Sequence, residues 1–429
     1  MPSRTWIHRA APILLLCAGM EGAAAQARPA AVPPPAVFTL PAGDIASSRP
    51  PQLSLDTFLA LVRSENPALL ADRYLVDMAR ADLRTASTLP NPAISHGRGA
   101  GERQTAIEQP IPLFGQRGMR MEGARRGIDA TAANVEALAA GTLRDAAGAF
   151  VALLAAQERA DRWSEAQGAL AEAAAIVEGQ VSAGARSRYD LTRIRVETAN
   201  LAMRLAQAEA AEAAAASEVA AFVGAPDWRP RAVGSLRPAA DSGRFDSRWQ
   251  VARERLPSVR AALAAERLAE TLIEVERREA LPTPSVGVGR LHDADGRHTL
   301  IGVSVEIPLF DRRQGPIERA RAQADESRQR RRAVVADAEA TLRRSVDQFQ
   351  RLQRLTDRFG EEGLSQLPEL GRMARDAYQL GRGSILELID AILSGTEKQV
   401  AYTELQEQVL RAEVEVRSAS GAFASTGVD

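Results

Sequence analysis

The residues with most chemical promise lie in one loop, His292-Asp293-Ala294-Asp295-Gly296-Arg297-His298, which gathers four side chains able to bind a metal. As a calcium loop it lacks the later acidic ligand, and as a zinc site it lacks defined geometry. It reads better as an exposed turn. A second cluster, Arg328 with Arg330-Arg331-Arg332, would suit an anionic lipid or nucleic acid. Three neighbours on a helix face different sides, however, so a solvated face with acids nearby is expected. No Gly-rich phosphate loop or nucleophile motif is present. Four histidines and one cysteine leave little material for a metal enzyme or a catalytic triad. Neither enzymatic activity nor a cofactor is expected. With 54 cations against 55 anions the chain is no generic nucleic-acid binder, which needs a basic surplus.

What must the elements then be for? Of the 429 residues 45% are hydrophobic but only 4% aromatic, which argues against several compact cores and for long Ala- and Arg-rich helices. Lys398 is the only lysine, a bias that fits GC-rich codon usage. At the N-terminus, Arg4, His8 and Arg9 precede the apolar run Ala10 to Ala18, and Ala23-Ala24-Ala25 follows. That order predicts a secretory signal peptide over 1–25. Lipidation at Cys17 is not expected, because Leu16 stands where a small side chain is wanted. Residues 26–52, with Pro33-Pro34-Pro35 and Pro50-Pro51, read as an extended, poorly ordered segment. No later stretch offers about 18 uncharged apolar residues in a row, so the secreted chain is soluble or enters a membrane as strands.

The chain is written twice. Leu89-Pro90-Asn91-Pro92 recurs as Leu281-Pro282-Thr283-Pro284, and Ile111-Pro112-Leu113-Phe114 as Ile307-Pro308-Leu309-Phe310. Gly184 with Asp190-Leu191 is echoed by Gly381 with Glu387-Leu388, and both glycines stand 40 residues before a closing glycine, Gly224 or Gly421. This divides the mature chain into repeat one (53–224), a Pro- and Gly-rich linker (225–244) and repeat two (245–424). Each repeat orders a helical stretch, a strand hairpin, a long helix to a glycine tip and a return helix. In the first return helix Leu191, Ile194, Thr198, Leu201, Leu205, Ala208, Glu212, Ala215, Val219 and Phe222 step by threes and fours. That 3.5-residue period predicts left-handed supercoiling. The stretch from Gly115 to Val181 has no proline, and its counterpart 316–380 is interrupted at Pro368. As helix the first would run roughly 100 Å, which needs a bundle or a tube.

Two hairpins are expected, at about 93–109 and 285–307. In the second, Ile301, Val303, Val305 and Ile307 alternate with Gly302, Ser304 and Glu306, and Val286 and Val288 with Gly287 and Gly289. Apolar-out, small-or-polar-in alternation is the pattern of a transmembrane barrel strand. The first hairpin is weaker, with Gly97, Gly99 and Gly101 near its turn. Four strands cannot close a barrel, and open edges are not tolerated in lipid. A cyclic oligomer follows, and three copies would give twelve strands. The fold class is thus mainly α with a small β part.

On Asn66-Pro67, the two Pro-Leu-Phe landmarks and the paired tips, the chain resembles the TolC-like outer membrane efflux protein family from about Leu53 onward. The resemblance implies a homotrimer in outer-membrane lipid, continued by a helical tunnel across the periplasm. It implies as partners a periplasmic adaptor (a membrane fusion protein) and an inner-membrane pump of the RND type, and no nucleic acid. The glycine tips at Gly184 and Gly381 would engage the adaptor, and Glu387 and Asp390 match acids that ring the entrance. Threefold symmetry would multiply each carboxylate and favour cations. The other reading makes them ordinary helix N-terminal acids. Tyr378 and Asp190 match a hydrogen-bond link that holds the mouth shut, or form a simple surface pair. The family's arginine two places after the second tip glycine is replaced by Gly383, with Arg382 as a substitute. Gln109, Gly115, Arg117 and Arg120 resemble a run in the CzcC-like heavy-metal branch, with Gln116 where lysine is usual. Metal ions and organic compounds both stay open as cargo. The rival of another class is a soluble periplasmic coiled-coil adaptor or scaffold, which leaves the alternating hairpins unexplained.

Overall fold

A computed structural model describes residues 52–99, 102–238 and 245–424. The expected signal peptide, nearly all of the Pro/Ala segment, and part of the linker lie outside the described residues.

Repeat one runs α1 (Leu55–Glu65), α2 (Pro67–Ser87), β2 (Ala93–Gly99), β3 (Glu102–Pro110), α3 (Gln116–Ser182) and α4 (Arg188–Phe222), preceded by the short strand β1 (Gln52–Leu53). Repeat two runs α5 (Phe245–Arg255), α6 (Pro257–Glu279), β5 (Pro284–Asp293), β6 (Gly296–Val305), α7 (Gln314–Phe359), a π turn (Gly360–Leu364), α8 (Leu367–Gln379) and α9 (Ile385–Ala419). Between them β4 (Arg231–Ala232) pairs in parallel with β1, so the expected linker is partly built into the fold; Trp228 and Ala232 are buried in its core.

The opening helical stretch of each repeat is two helices. Asn66 ends α1 and begins α2: its side-chain oxygen accepts from Leu69 N–H at 2.9 Å while its amide donates to Phe222 O at 2.7 Å. Pro67 then fits the first helical position, where no N–H is needed. The break has a purpose in the packing. α4 has 35 residues and α2 has 21, against 67 in α3. Stacked end to end, the short helices pair with most of the long one, which runs about 100 Å. Gly224, which closes α4, lies so close to Pro67 that a Cβ would sit 3.1 Å from the proline ring.

The four landmark glycines share one backbone state, with φ of 73° at Gly184, 64° at Gly224, 74° at Gly381 and 79° at Gly421. Each ends a helix with the same i−5 amide bond: Ala185 to Gln180, Ala225 to Ala220, Arg382 to Ala377 and Ala422 to Arg417, all 2.8–3.1 Å. This is a Schellman cap, which wants glycine because a left-handed residue carries no Cβ penalty there. The repeated 40-residue spacing is therefore a helix plus its two caps.

All ten α4 seam positions read from sequence are at least half-buried, with Ile194, Leu201 and Val219 fully so. α3 packs against α2, α4, α6 and α9. It contains a stretch long and apolar enough, by composition, to cross a membrane. Its residues Leu143, Ala146, Ala147, Phe150 and Leu153 are instead spent on a helical core with Phe58 and Val219. The counterpart helix breaks earlier than expected: the π turn precedes Pro368, and the proline starts α8.

The hairpins join into one antiparallel sheet ordered β2-β3-β5-β6, leaving β2 and β6 as edges. The strands have 7, 9, 10 and 10 residues. The second hairpin's turn is tighter than the expected loop: His292 pairs with Arg297 and Asp293 with Gly296, so only Ala294 and Asp295 turn. Strand β6 ends at Val305, short of the expected 307. The alternation holds: Ile301 is 79% exposed and Val303 70%, with Ile94, Ile107 and Val288 on the same face by register.

Candidate functional site

The two glycine tips lie side by side at the far end of the helices from the sheet. Each return helix starts from a serine cap, Ser187 for α4 and Ser384 for α9, whose hydroxyls accept from Asp190 N–H at 3.3 Å and Glu387 N–H at 3.2 Å. The carboxylate of Glu387 accepts in return from Ser384 N–H at 3.0 Å, completing a capping box. Glu387 thus caps its own helix. Asp390, one turn on, is exposed on the same helix.

Between the tips lies Tyr378, only 1% exposed, in a cluster with Leu170, Ile194, Ile385 and Leu388. Its hydroxyl has no hydrogen-bond partner among the described residues. The expected bond to Asp190 is therefore not formed inside one subunit, although Asp190 lies near enough to be felt. Burial raises the phenol above its usual value of 10, the Asp190 charge raises it further, and Arg186 opposes both.

The residue that joins the tips is Arg186. Its guanidinium donates to Tyr378 O at 3.1 Å and more loosely to Gly383 O at 3.4 Å, and lies over the Tyr378 ring at 4.6 Å. Arg382, the proposed substitute, makes only its backbone cap bond and is exposed. Sequence reasoning missed Arg186, yet the signal was available. It stands two places after Gly184, the position that in the second repeat is Gly383. A Cβ at 383 would come 3.2 Å from Ala377, a tight fit that favours glycine there.

At the sheet end, the run that resembles the heavy-metal branch is structural. Gln109 donates to Pro90 O at 2.8 Å. The buried Gln116 accepts from Phe114 N–H at 2.9 Å and donates to Pro282 O in repeat two at 3.2 Å. Arg117 donates to Ser87 O at 2.7 Å, and Arg120 approaches Glu279 at 3.5 Å. These residues fasten the head of α3 to both repeats. Among the described residues no group of three or more His, Cys, Asp or Glu is placed to hold a metal ion.

A sheet apolar on one face, long paired helices, and capped tips at their far end make up a fold that this chain shares with solved outer-membrane channels. Residues 249–422 match the family described as "Outer membrane efflux protein". The chain is 26% identical over 368 residues to the cobalt-zinc-cadmium resistance protein CzcC of Cupriavidus metallidurans, covering 84% of this chain and 88% of that protein. It is 25% identical to the nickel-cobalt-cadmium resistance protein NccC of Alcaligenes xylosoxydans, covering 73% and 74%. Among solved structures, CusC superposes with a TM-score of 0.70 at 19% identity (86% of this chain, 92% of that one). The CmeC outer membrane channel of Campylobacter jejuni gives 0.71 at 15% identity, covering 87% of each. Family match, relatives and fold thus agree in what the chain is similar to: outer membrane efflux proteins, two of them named for metal resistance.

Proposed function

We propose that the chain is the outer-membrane conduit of a tripartite efflux system. Three copies would form a passive tunnel that exports metal ions, supplied by a periplasmic adaptor and an inner-membrane pump of the RND type. The observation that carries this is the four-stranded sheet with unpaired edges β2 and β6 and one apolar face. In hydrocarbon every backbone polar group needs a partner, so such a sheet must close against copies of itself. The tips, lacking a sheet and fixed by caps and Arg186, are suited to the periplasmic mouth and to the adaptor. Metal cargo rests on what the relatives are named for.

The test has two readouts. In detergent, light scattering should give the mass of three chains, and planar bilayers should show cation-preferring conductance. In cells, removing the chain should raise retained cobalt, zinc and cadmium. A stable lone subunit with no conductance would overturn the conduit. Unchanged metal retention alongside loss of organic-compound export would overturn the cargo. Recovery in the aqueous fraction without detergent would favour a periplasmic scaffold.

A further inference from the structure

The geometry points to a binding belt for phosphate-bearing lipid headgroups around the outer rim of the sheet. This rests on the reading of the sheet as membrane-embedded. The register places Arg98, Arg103, His292 and Arg297 in one row across all four strands, on the same face as Ile94, Ile107, Val288 and Ile301. The intervening row is His96, Thr105, Arg290 and Thr299. The opposite face carries Gly97, Gly287, Gly289, Gly302 and Ser304, as a channel lining should. The basic rows are therefore on the lipid side, at the end away from the helices.

Their height fits a headgroup. From Val305, where β6 ends, to Arg297 is eight residues, about 27 Å along an extended strand, or about 21 Å along the normal at a tilt near 40°. The apolar band of an outer-membrane barrel is about 25 Å tall. The guanidinium row thus stands near its outer edge, within reach of a long side chain. That edge is usually held by aromatic residues, but none of the four strands contains Phe, Tyr or Trp. Toward the inner edge Phe310, which follows β6, is 93% exposed, and Phe114, which follows β3, is also exposed.

The row also lacks its own counter-charge. Arg98 lies directly opposite Arg103, and like charges so placed repel. Glu102 and Asp293 alternate onto the other face, where Asp293 meets His298 at 3.4 Å. Arg98, Arg103, Arg290 and Arg297 make no side-chain ion pair among the described residues. Exposed guanidinium groups beside acyl-chain surface, with no acid on their face, match a bidentate phosphate acceptor carried by a lipid.

Detergent-solubilised protein would be titrated with a bis-phosphorylated lipid A-type glycolipid and with its dephosphorylated form, and bound lipid counted by native mass spectrometry. The phosphorylated lipid should be retained. The triple variant Arg98→Gln, Arg103→Gln, Arg297→Gln should weaken retention on the order of a hundredfold, at about fivefold per basic residue. Replacement of the same three by lysine should restore most of it. Conductance and oligomer mass should match the wild type, which separates this outcome from failure of the channel itself. Equal retention of the dephosphorylated lipid, unchanged retention by the glutamine variant, or displacement by inorganic phosphate at equal concentration would overturn the proposal.

Discussion

Replacing Arg186 by alanine removes two hydrogen bonds to backbone carbonyls, at 3.1 and 3.4 Å, and the stack on Tyr378 at 4.6 Å. A hydrogen bond from a charged donor contributes about 1.5–3 kcal/mol, and an exposed cation–π contact about 0.5–1 kcal/mol. The longer bond adds little, and Arg186 is only half-buried, so about 2 kcal/mol is a fair total for the link between tips. If the link holds the mouth closed, the open-to-closed ratio should rise roughly thirtyfold at about 1.4 kcal/mol per tenfold. Single-channel recording in planar bilayers reads this directly as open probability. Arg382→Ala is the control, because that side chain has no partner among the described residues and should change little. The reasoning fails if Arg186→Ala leaves open probability unchanged, or if Arg382→Ala opens the channel more.

Tyr378 should carry an alkaline limit. Its phenol is raised in the folded protein by burial first and Asp190 second, so the stability of the neutral form is whole below pH 10 and declines as pH climbs through the higher folded value. Limited proteolysis at the tip should show that onset, and Tyr378→Phe should abolish it without loss of stability, since the hydroxyl has no partner to lose. Gly184→Ala and Gly381→Ala meet no neighbour within 4 Å but force a side chain to φ near +73°. Each should cost about 1–2 kcal/mol locally, seen as faster amide exchange at the tip with global melting little changed. Leu201→Ala, fully buried in the seam, should cost about 2–5 kcal/mol and lower the melting temperature. Glu266 is buried between Arg328 and Arg331. Glu266→Gln should cost about 1–2 kcal/mol, below a fully buried pair because both arginines reach solvent.

The fold was legible wherever backbone geometry leaves only one residue type free. Gly184, Gly224, Gly381 and Gly421 gave the helix ends because left-handed caps exclude most other side chains. The barrel face was legible from β6 because a two-residue period has one interpretation beside lipid. The helix end at Asn66-Pro67 was legible because an Asn before Pro joins a cap to a first helical turn, but the matching break at Leu256-Pro257, which has no side-chain cap, was not read. The π turn at Gly360–Leu364 carries no breaker at its start beyond glycine, so the sequence points to Pro368 instead. At the tip, the sequence pointed to Glu387, Asp390 and Tyr378, whereas Arg186, whose contacts cross from one tip to the other, carries no local pattern that marks it.

The π turn sets the phase of everything beyond it. One residue beyond the α-helical count rotates the downstream helix by about 100° relative to an unbroken course. It is held by Phe359 stacked on Tyr402 at 6.2 Å, with Gly360 too close to Tyr402 for a Cβ without adjustment. Deleting a single residue there would leave α7 and its sheet undisturbed yet swing Tyr378 out of its seam. The second repeat therefore carries a phase break at Gly360–Leu364, where the helix of the first repeat runs from Gln116 to Ser182 without one.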